Sequence, residues 1–183
     1  MGTQIFLNNN TAGLVGLYTQ TADSAVIGGA TQTGSIIGTG IGSLTVPANG
    51  FAVGDSFKLN MGGHLDALNN KNLTINILTT GGTVLASTNQ ITMPTCTDEH
   101  WNLEIIFTVR SIGAAGVASI VSSGYFMFTK DASNSYEGEN FSLINNTTFD
   151  TTISNTLTVK VNWDTTDVGN AIYSESCVLT KIF

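Results

Sequence analysis

Apolar and polar residues alternate through much of the chain, with the two-residue period of β-strands. The clearest run has mostly polar residues between its apolar positions, which are Trp101, Leu103, Ile105, Phe107 and Val109. Successive side chains of a strand point to opposite faces, so one face of such a segment is buried and the other is solvated. The run therefore predicts a long strand packed on one side against a hydrophobic core.

Further strands are predicted on both sides of this run. Leu73, Ile75 and Ile77 alternate with polar residues, and the Gly81-Gly82 pair then leads into a second apolar segment at 84–87. Two such segments joined through Gly-Gly indicate a β-hairpin. The same alternation predicts strands at 57–62, 117–121, 125–129, 157–163 and 172–183, with a turn at 122–124.

Together these segments amount to roughly eight to ten short strands, and no amphipathic helix of about ten residues or more interrupts them. We predict an all-β fold, a two-sheet antiparallel sandwich of the jelly-roll type with about eight strands. An immunoglobulin-like sandwich fits less well, because Cys96 precedes Trp101 by only a few residues and lies far from Cys177.

The first 45 residues differ in composition from the rest. Gly13–Tyr18 and Gly34–Gly42 mix glycine with β-branched residues and carry no charge. Glycine weakens helices, whereas Thr, Ile and Val favour extended chain. We predict an N-terminal arm over 1–45 with one or two strands, docked on its own sandwich or on a neighbouring subunit, followed by a jelly-roll domain over 46–183.

Charge is scarce, at 10% of residues against 42% that are hydrophobic, and the net charge is −7. A soluble domain ordinarily has about 25% charged residues. Neutral polar groups cost less to desolvate than charged ones, which suits surfaces covered by neighbouring subunits. The first cation is Lys58, so we expect no nucleic-acid partner, and the apolar runs are too short for a membrane span.

Candidates for chemistry are few. Asp98-Glu99-His100 puts three potential metal ligands in a row, but adjacent residues of extended chain point to opposite sides. We therefore expect these residues in a solvated loop that leads into Trp101. His64 has no acidic or cysteine neighbour in sequence nearer than Asp66 and is expected to be an ordinary surface histidine. The glycines of 38–42 lack the spacing of a dinucleotide-binding loop.

No nucleophile elbow and no phosphate-binding loop appear in the sequence. We assign no catalytic, cofactor-binding or metal-ligating residue, expect no cofactor, and predict that the protein is not an enzyme. The two cysteines, Cys96 and Cys177, leave two alternatives open, one disulfide or two buried free thiols.

Several segments resemble small jelly-roll structural proteins of viruses. The family includes vertex (penton) capsid proteins of large icosahedral double-stranded DNA viruses and related fibre or spike heads. The resemblance lies in the pattern of strands and in the residues of the turns. It is carried by Val46–Phe57, Leu73–Met93, Trp101–Gly113, Asn155–Val161 and Leu179–Phe183.

The resemblance covers residues 46–183 and implies a structural subunit without chemistry of its own. Five copies would ring a capsid vertex, with the N-terminal arm reaching under a neighbour. The implied partners are sister copies and neighbouring capsid proteins. The implied location is the capsid surface of a virion assembled in the host cell.

The alternative implied by the same resemblance is a trimeric fibre or spike head that binds a host receptor or glycan. Its contacts would come from loops such as 131–148, with Tyr136 and Phe141 as candidate residues.

Overall fold

The structure, a computed structural model, describes residues 14–79, 81–131 and 135–183. These ranges contain only strands, turns and connecting segments, and none of their residues forms a helix able to cross a membrane. The strands are β1 (Val15–Gln20), β2 (Ile27–Gly28), β3 (Thr33–Ser35), β4 (Gly40–Gly42), β5 (Thr45–Val46), β6 (Ser56–Ala67), β7 (Lys71–Thr79), β8 (Val84–Ser87), β9 (Ile91–Met93), β10 (Cys96–Ser111), β11 (Ser119–Lys130), β12 (Ser135–Asn145), β13 (Asn155–Trp163) and β14 (Ala171–Lys181).

The strands form two antiparallel sheets. The large sheet has the order β12-β11-β10-β6-β14-β1-β4, with β2 added beside β14. The small sheet has the order β3-β13-β7-β8, with β5 beside β13 and β9 beside β7. The predicted all-β, two-sheet antiparallel sandwich is therefore confirmed.

The connectivity explains the jelly-roll form. The first strand, β1, pairs with the last, β14, and the chain then crosses between the sheets so that β3 pairs with β13 and β6 with β14. The late strands β14 and β13 therefore lie beside the early strands β1 and β3, one pair in each sheet. This arrangement is the double Greek key of a jelly roll. The hairpin β11–β12 extends the large sheet beyond β10.

The core lies between the two sheets and follows the predicted alternation. Along β10 the side chains from Trp101 to Val109 alternate between buried and outward-facing positions, and Ile106, which breaks the sequence pattern, faces outward. Two buried tryptophans bond main-chain carbonyl oxygens through their indole N–H groups: Trp101 donates to His64 and Trp163 donates to Ile27. A buried indole needs such a partner, because an unpaired N–H in the core costs free energy.

Strand β11 corrects one prediction. A turn was expected at 122–124, but β11 runs without interruption from Ser119 to Lys130. The Ser122 side chain is buried, and its hydroxyl donates to the carbonyl oxygen of Leu85 at 2.6 Å. Gly124 sits so close to β10 that a Cβ atom there would lie 2.1 Å from the carbonyl oxygen of Glu104. These small residues serve close packing within a sheet, whereas in sequence they look like turn residues.

Residues 15–46 dock on their own sandwich. They form β1 to β5, which is more than the one or two strands expected for 1–45, and their strands pair with β13, β14 and each other. Ser174 of β14 anchors this segment, because its hydroxyl donates to the carbonyl oxygen of Ile36 at 2.6 Å and its N–H donates to Ser24 Oγ at 2.9 Å. Residues 1–13 of the predicted arm lie outside the described residues.

Candidate functional site

The strands of both sheets run between two ends of the sandwich, and the loops at one end form a connected surface. These loops are 47–55, 112–118, 146–154 and the C-terminal residues 182–183. Main-chain hydrogen bonds link them: the N–H of Asn49 donates to the oxygen of Thr151 at 2.8 Å, and the N–H of Thr151 donates to that of Gly113 at 2.9 Å.

Large apolar side chains are exposed at this end, which we call the apolar end. Asp55 and Asp150 supply the only carboxylate side chains of its loops, and Asp55 is paired with Lys181 at 2.6 Å. Scattered apolar residues are normal on a protein surface, but a group of them on linked loops is typical of an interaction site. The exposed residues on these loops are Val53, Ile112, Val117, Ile153 and Phe183, and Leu14 lies beside them, just before β1.

The opposite end is acidic. Its loops are held by their own carboxylates: Asp131 accepts hydrogen bonds from the N–H and hydroxyl of Thr97, and Asp164 accepts from the N–H and amide of Asn72. Six of the 13 acidic residues of the chain lie in or beside these loops, namely Asp66, Asp98, Glu99, Asp131, Asp164 and Asp167. The molecule therefore has a strong difference in charge between its two ends.

A cluster of ionisable side chains lies near the acidic end on the outer face of the large sheet. Three neighbouring strands bring it together, because His100 of β10 is opposite His64 of β6, which in turn is opposite Tyr173 of β14. The His64 and His100 rings are 4.4 Å apart between centroids, and Tyr173 stacks on His64 at 5.5 Å. With Asp98 and Glu175, these residues form what we call the histidine cluster.

Two carboxylates flank the His64 ring. Asp98 Oδ1 lies 2.8 Å from Nδ1, and Glu175 Oε1 lies 3.4 Å from Nε2 on the other side. Burial of the Tyr173 ring, followed by the negative charge of Glu175, raises the pKa of its hydroxyl above the ordinary tyrosine value. The cluster thus contains two imidazoles, two carboxylates and a neutral phenol.

Both carboxylates stand at irregularities in the strand pairing. The register of β10 against β6 shifts between Cys96 and Glu99, where Asp98 has a φ of 54°. The register of β14 against β6 shifts between Ser174 and Ser176, with Glu175 as the extra residue. A β-bulge redirects side chains and is frequent near functional sites. The two bulges place Asp98 and Glu175 beside His64, which a regular ladder would not do.

The histidine cluster corrects two predictions. Asp98–His100 belongs to strand β10 and not to a solvated loop. His64 lies in β6, its side chain is only 18% exposed, and it contacts two carboxylates, so it is not an ordinary surface histidine. The expectation that Asp98, Glu99 and His100 do not converge is correct for Glu99, which is absent from the cluster. His100 instead meets residues from two other strands, and no local sequence signal marks that arrangement.

A second surface feature lies on the large sheet and extends from β6 across β10 and β11 to β12. Tyr125, Met127 and Tyr136 line a shallow depression of about 310 Å³, and the Tyr136 side chain is 72% exposed. Phe141 was expected to join Tyr136 as a contact, but it is only 1% exposed and packs in the core. Most of 131–148 is the strand β12 and not a loop.

The two cysteines are buried free thiols, so the disulfide alternative is wrong. Cys96 and Cys177 pair with Ala67 and Met61, six residues apart on β6. At about 3.4 Å per residue the two positions are about 20 Å apart, whereas a disulfide needs Cα atoms within about 7 Å. Burial raises the pKa of each thiol to about 12.

Comparisons with protein-family models, with curated proteins and with solved structures find no match to this chain.

Proposed function

We propose that this chain is a structural subunit of a virus particle, a vertex (penton) capsid protein that assembles as a homopentamer and is not an enzyme. The observation that carries the proposal is the apolar end, where exposed large side chains stand on loops joined by main-chain hydrogen bonds. A partner that covers such a surface removes apolar area from water, and this stabilises the assembly relative to the monomer.

The charge distribution favours a second copy of the same chain as that partner. Each copy carries a net charge of −7, with much of the acidity at the end opposite the apolar one. Copies that meet through their apolar ends keep their acidic ends apart, which reduces repulsion between like charges. A closed ring with the apolar ends toward its axis satisfies both conditions, and closed rotational symmetry is the usual form of protein assemblies.

The sparse cations support the same proposal. Four lysines form salt bridges with carboxylates of their own chain, at distances of 2.6 to 3.1 Å. These lysines are Lys58, Lys71, Lys130 and Lys181. A surface with its cations engaged in this way has little to offer the phosphates of a nucleic acid. The remaining polar surface is rich in neutral Thr, Asn and Ser, which can be covered by a neighbouring subunit at modest cost.

A second candidate function is a trimeric fibre or spike head. It is favoured by the exposed Tyr136 beside Tyr125, since aromatic side chains next to polar groups suit the recognition of sugars or receptor side chains. If this candidate is right, the chain is a trimer, and Tyr136→Ala weakens its binding to glycans on an array.

Native mass spectrometry in the presence of EDTA tests the proposal. We expect a pentamer for the unmodified chain and dissociation of the Val117→Asp variant, because Val117 is 65% exposed at the apolar end. Val168→Asp is the matched control, since Val168 is 95% exposed at the acidic end, and this variant should remain a pentamer. A stable monomer, or a trimer, for the unmodified chain contradicts the pentameric proposal, and a trimer supports the fibre head.

A further inference from the structure

We propose that His64, His100 and Glu175 bind one divalent transition-metal ion, of the chemistry of Zn²⁺, on the outer face of the large sheet. One ligand atom from each of these side chains lies within 4.8 Å of the others. The three residues come from adjacent strands, so the bound ion would tie β10, β6 and β14 together. This inference is independent of the proposed viral function.

The distances suit a tetrahedral ion. Two ligand atoms that each lie about 2.0–2.1 Å from zinc at the tetrahedral angle are separated by about 3.3 Å. His64 Nε2 and Glu175 Oε1 are 3.4 Å apart, which matches one edge of such a tetrahedron. The distances to the exposed His100 side chain also lie within 4.8 Å, so a small shift of this side chain would complete the triangle.

Asp98 gives His64 the orientation that a metal ligand needs. Its carboxylate lies 2.8 Å from Nδ1, so it can accept a hydrogen bond from the Nδ1–H tautomer, in which the lone pair of Nε2 is free for a metal ion beside Glu175. A carboxylate that supports the second nitrogen of a ligating histidine is common in metal sites. A lone pair and a carboxylate oxygen facing each other repel, and a cation between them turns this repulsion into attraction.

The stacked Tyr173 ring limits how far His64 can turn, since the two planes are only 9° apart. The ligand position is therefore prepared before the ion arrives. Two imidazoles and one carboxylate favour Zn²⁺, Co²⁺ or Ni²⁺ over Mg²⁺ and Ca²⁺, which prefer oxygen ligands. Three protein ligands leave a fourth position, and it faces solvent because His100 and Glu175 are exposed.

Without a metal, the same contacts would be hydrogen bonds between the His64 ring and the two carboxylates. Isothermal titration of the untagged, EDTA-stripped chain with ZnCl₂ or CoCl₂ separates the two readings. We expect one ion per chain. With Co²⁺ we expect the visible absorption of a tetrahedral site without a thiolate charge-transfer band, because both cysteines are buried and neither belongs to the group of three ligands. MgCl₂ should give no comparable binding.

Variants identify the ligands. His100→Gln and Glu175→Gln should each weaken Co²⁺ binding by at least about tenfold, and Asp98→Asn should weaken it by about ten- to a hundredfold through the orientation of His64. Glu139→Gln is the matched control, because Glu139 is a carboxylate of the same sheet outside the cluster, and it should bind Co²⁺ as the unmodified chain does.

Absence of stoichiometric binding to the unmodified chain overturns the proposal, as does equal loss of binding in Glu139→Gln. Thermal unfolding in EDTA establishes that each variant is folded. If His100→Gln does not fold, Glu175→Gln decides the question, since Glu175 is exposed on a bulge and its replacement leaves the core intact. The result does not depend on oligomeric state, so the assembly proposal stands or falls separately.

Discussion

The indole N–H of Trp101 donates to the carbonyl oxygen of His64 across 3.0 Å, so a buried side chain holds the backbone that carries the histidine cluster on the other face of the sheet. The same N–H lies 3.1 Å from the carbonyl oxygen of Tyr173. One core residue of β10 therefore bonds both the neighbouring strand, β6, and the strand beyond it, β14, at the level where the cluster forms. The outer face depends on the core for its geometry.

Replacing Trp101 with phenylalanine removes both hydrogen bonds and leaves a small cavity. We expect Trp101→Phe to lower the free energy of unfolding by about 1–3 kcal/mol, measured by urea denaturation. Amide hydrogen exchange at His64 and Tyr173 should become faster as well. Trp163→Phe is the control, because Trp163 donates instead to Ile27. It should also destabilise the fold, and comparable exchange changes at His64 in both variants would contradict the role assigned to Trp101.

The alternation of apolar residues was enough to predict the central strands. Three segments each bury one face, so apolar residues recur at every second position of their sequence. These segments are Leu73 to Ile77, Trp101 to Val109 and Leu157 to Trp163. Strand β12 was not found, because it lies at the edge of the large sheet and its burial pattern includes only one fully buried side chain, that of Phe141. An edge strand with two exposed faces looks like a loop in sequence.

The histidine cluster could not be predicted for a different reason. His64 and Glu175 are far apart in the chain and meet only through strand pairing, and the two bulges that position Asp98 and Glu175 have no marker in the sequence. The strand predicted at 57–62 ends at the first residue of the glycine pair 62–63. In the structure β6 continues to Ala67, and Gly63 lies so close to β14 that it leaves no room for a side chain.

That close packing gives a test. A Cβ atom on Gly63 would lie 2.1 Å from the carbonyl oxygen of Tyr173, whereas one on Gly62 would meet nothing nearer than 3.3 Å. We expect Gly63→Ala to lower the free energy of unfolding by about 1–3 kcal/mol, because strand β14 has to move. Gly62→Ala is the control and should change it by less than about 1 kcal/mol. If urea denaturation shows as small a loss for Gly63→Ala as for Gly62→Ala, the close approach of β14 to Gly63 is contradicted.

The buried thiols predict a loss of stability at high pH. Burial raises the pKa of Cys96 and Cys177 from 9.0 to about 12 in the folded chain, so the folded state holds protons that the unfolded state has released. Their contribution is complete below about pH 9 and is lost as the pH rises from 9 toward 12. The urea midpoint should therefore decrease as the pH rises from about 9 to about 10.5. Both thiols should resist alkylation at pH 8 until the chain unfolds.

The double variant Cys96→Ala, Cys177→Ala separates this effect from that of other groups. Burial also raises the pKa of Tyr18, whose ionisation weakens the fold in the same direction above pH 10. The variant should therefore have a smaller decrease in midpoint than the unmodified chain, but some decrease should remain. An equal decrease in both proteins would assign the whole effect to groups other than the thiols, such as Tyr18. Rapid alkylation of the folded chain at pH 8 would show that the thiols are accessible.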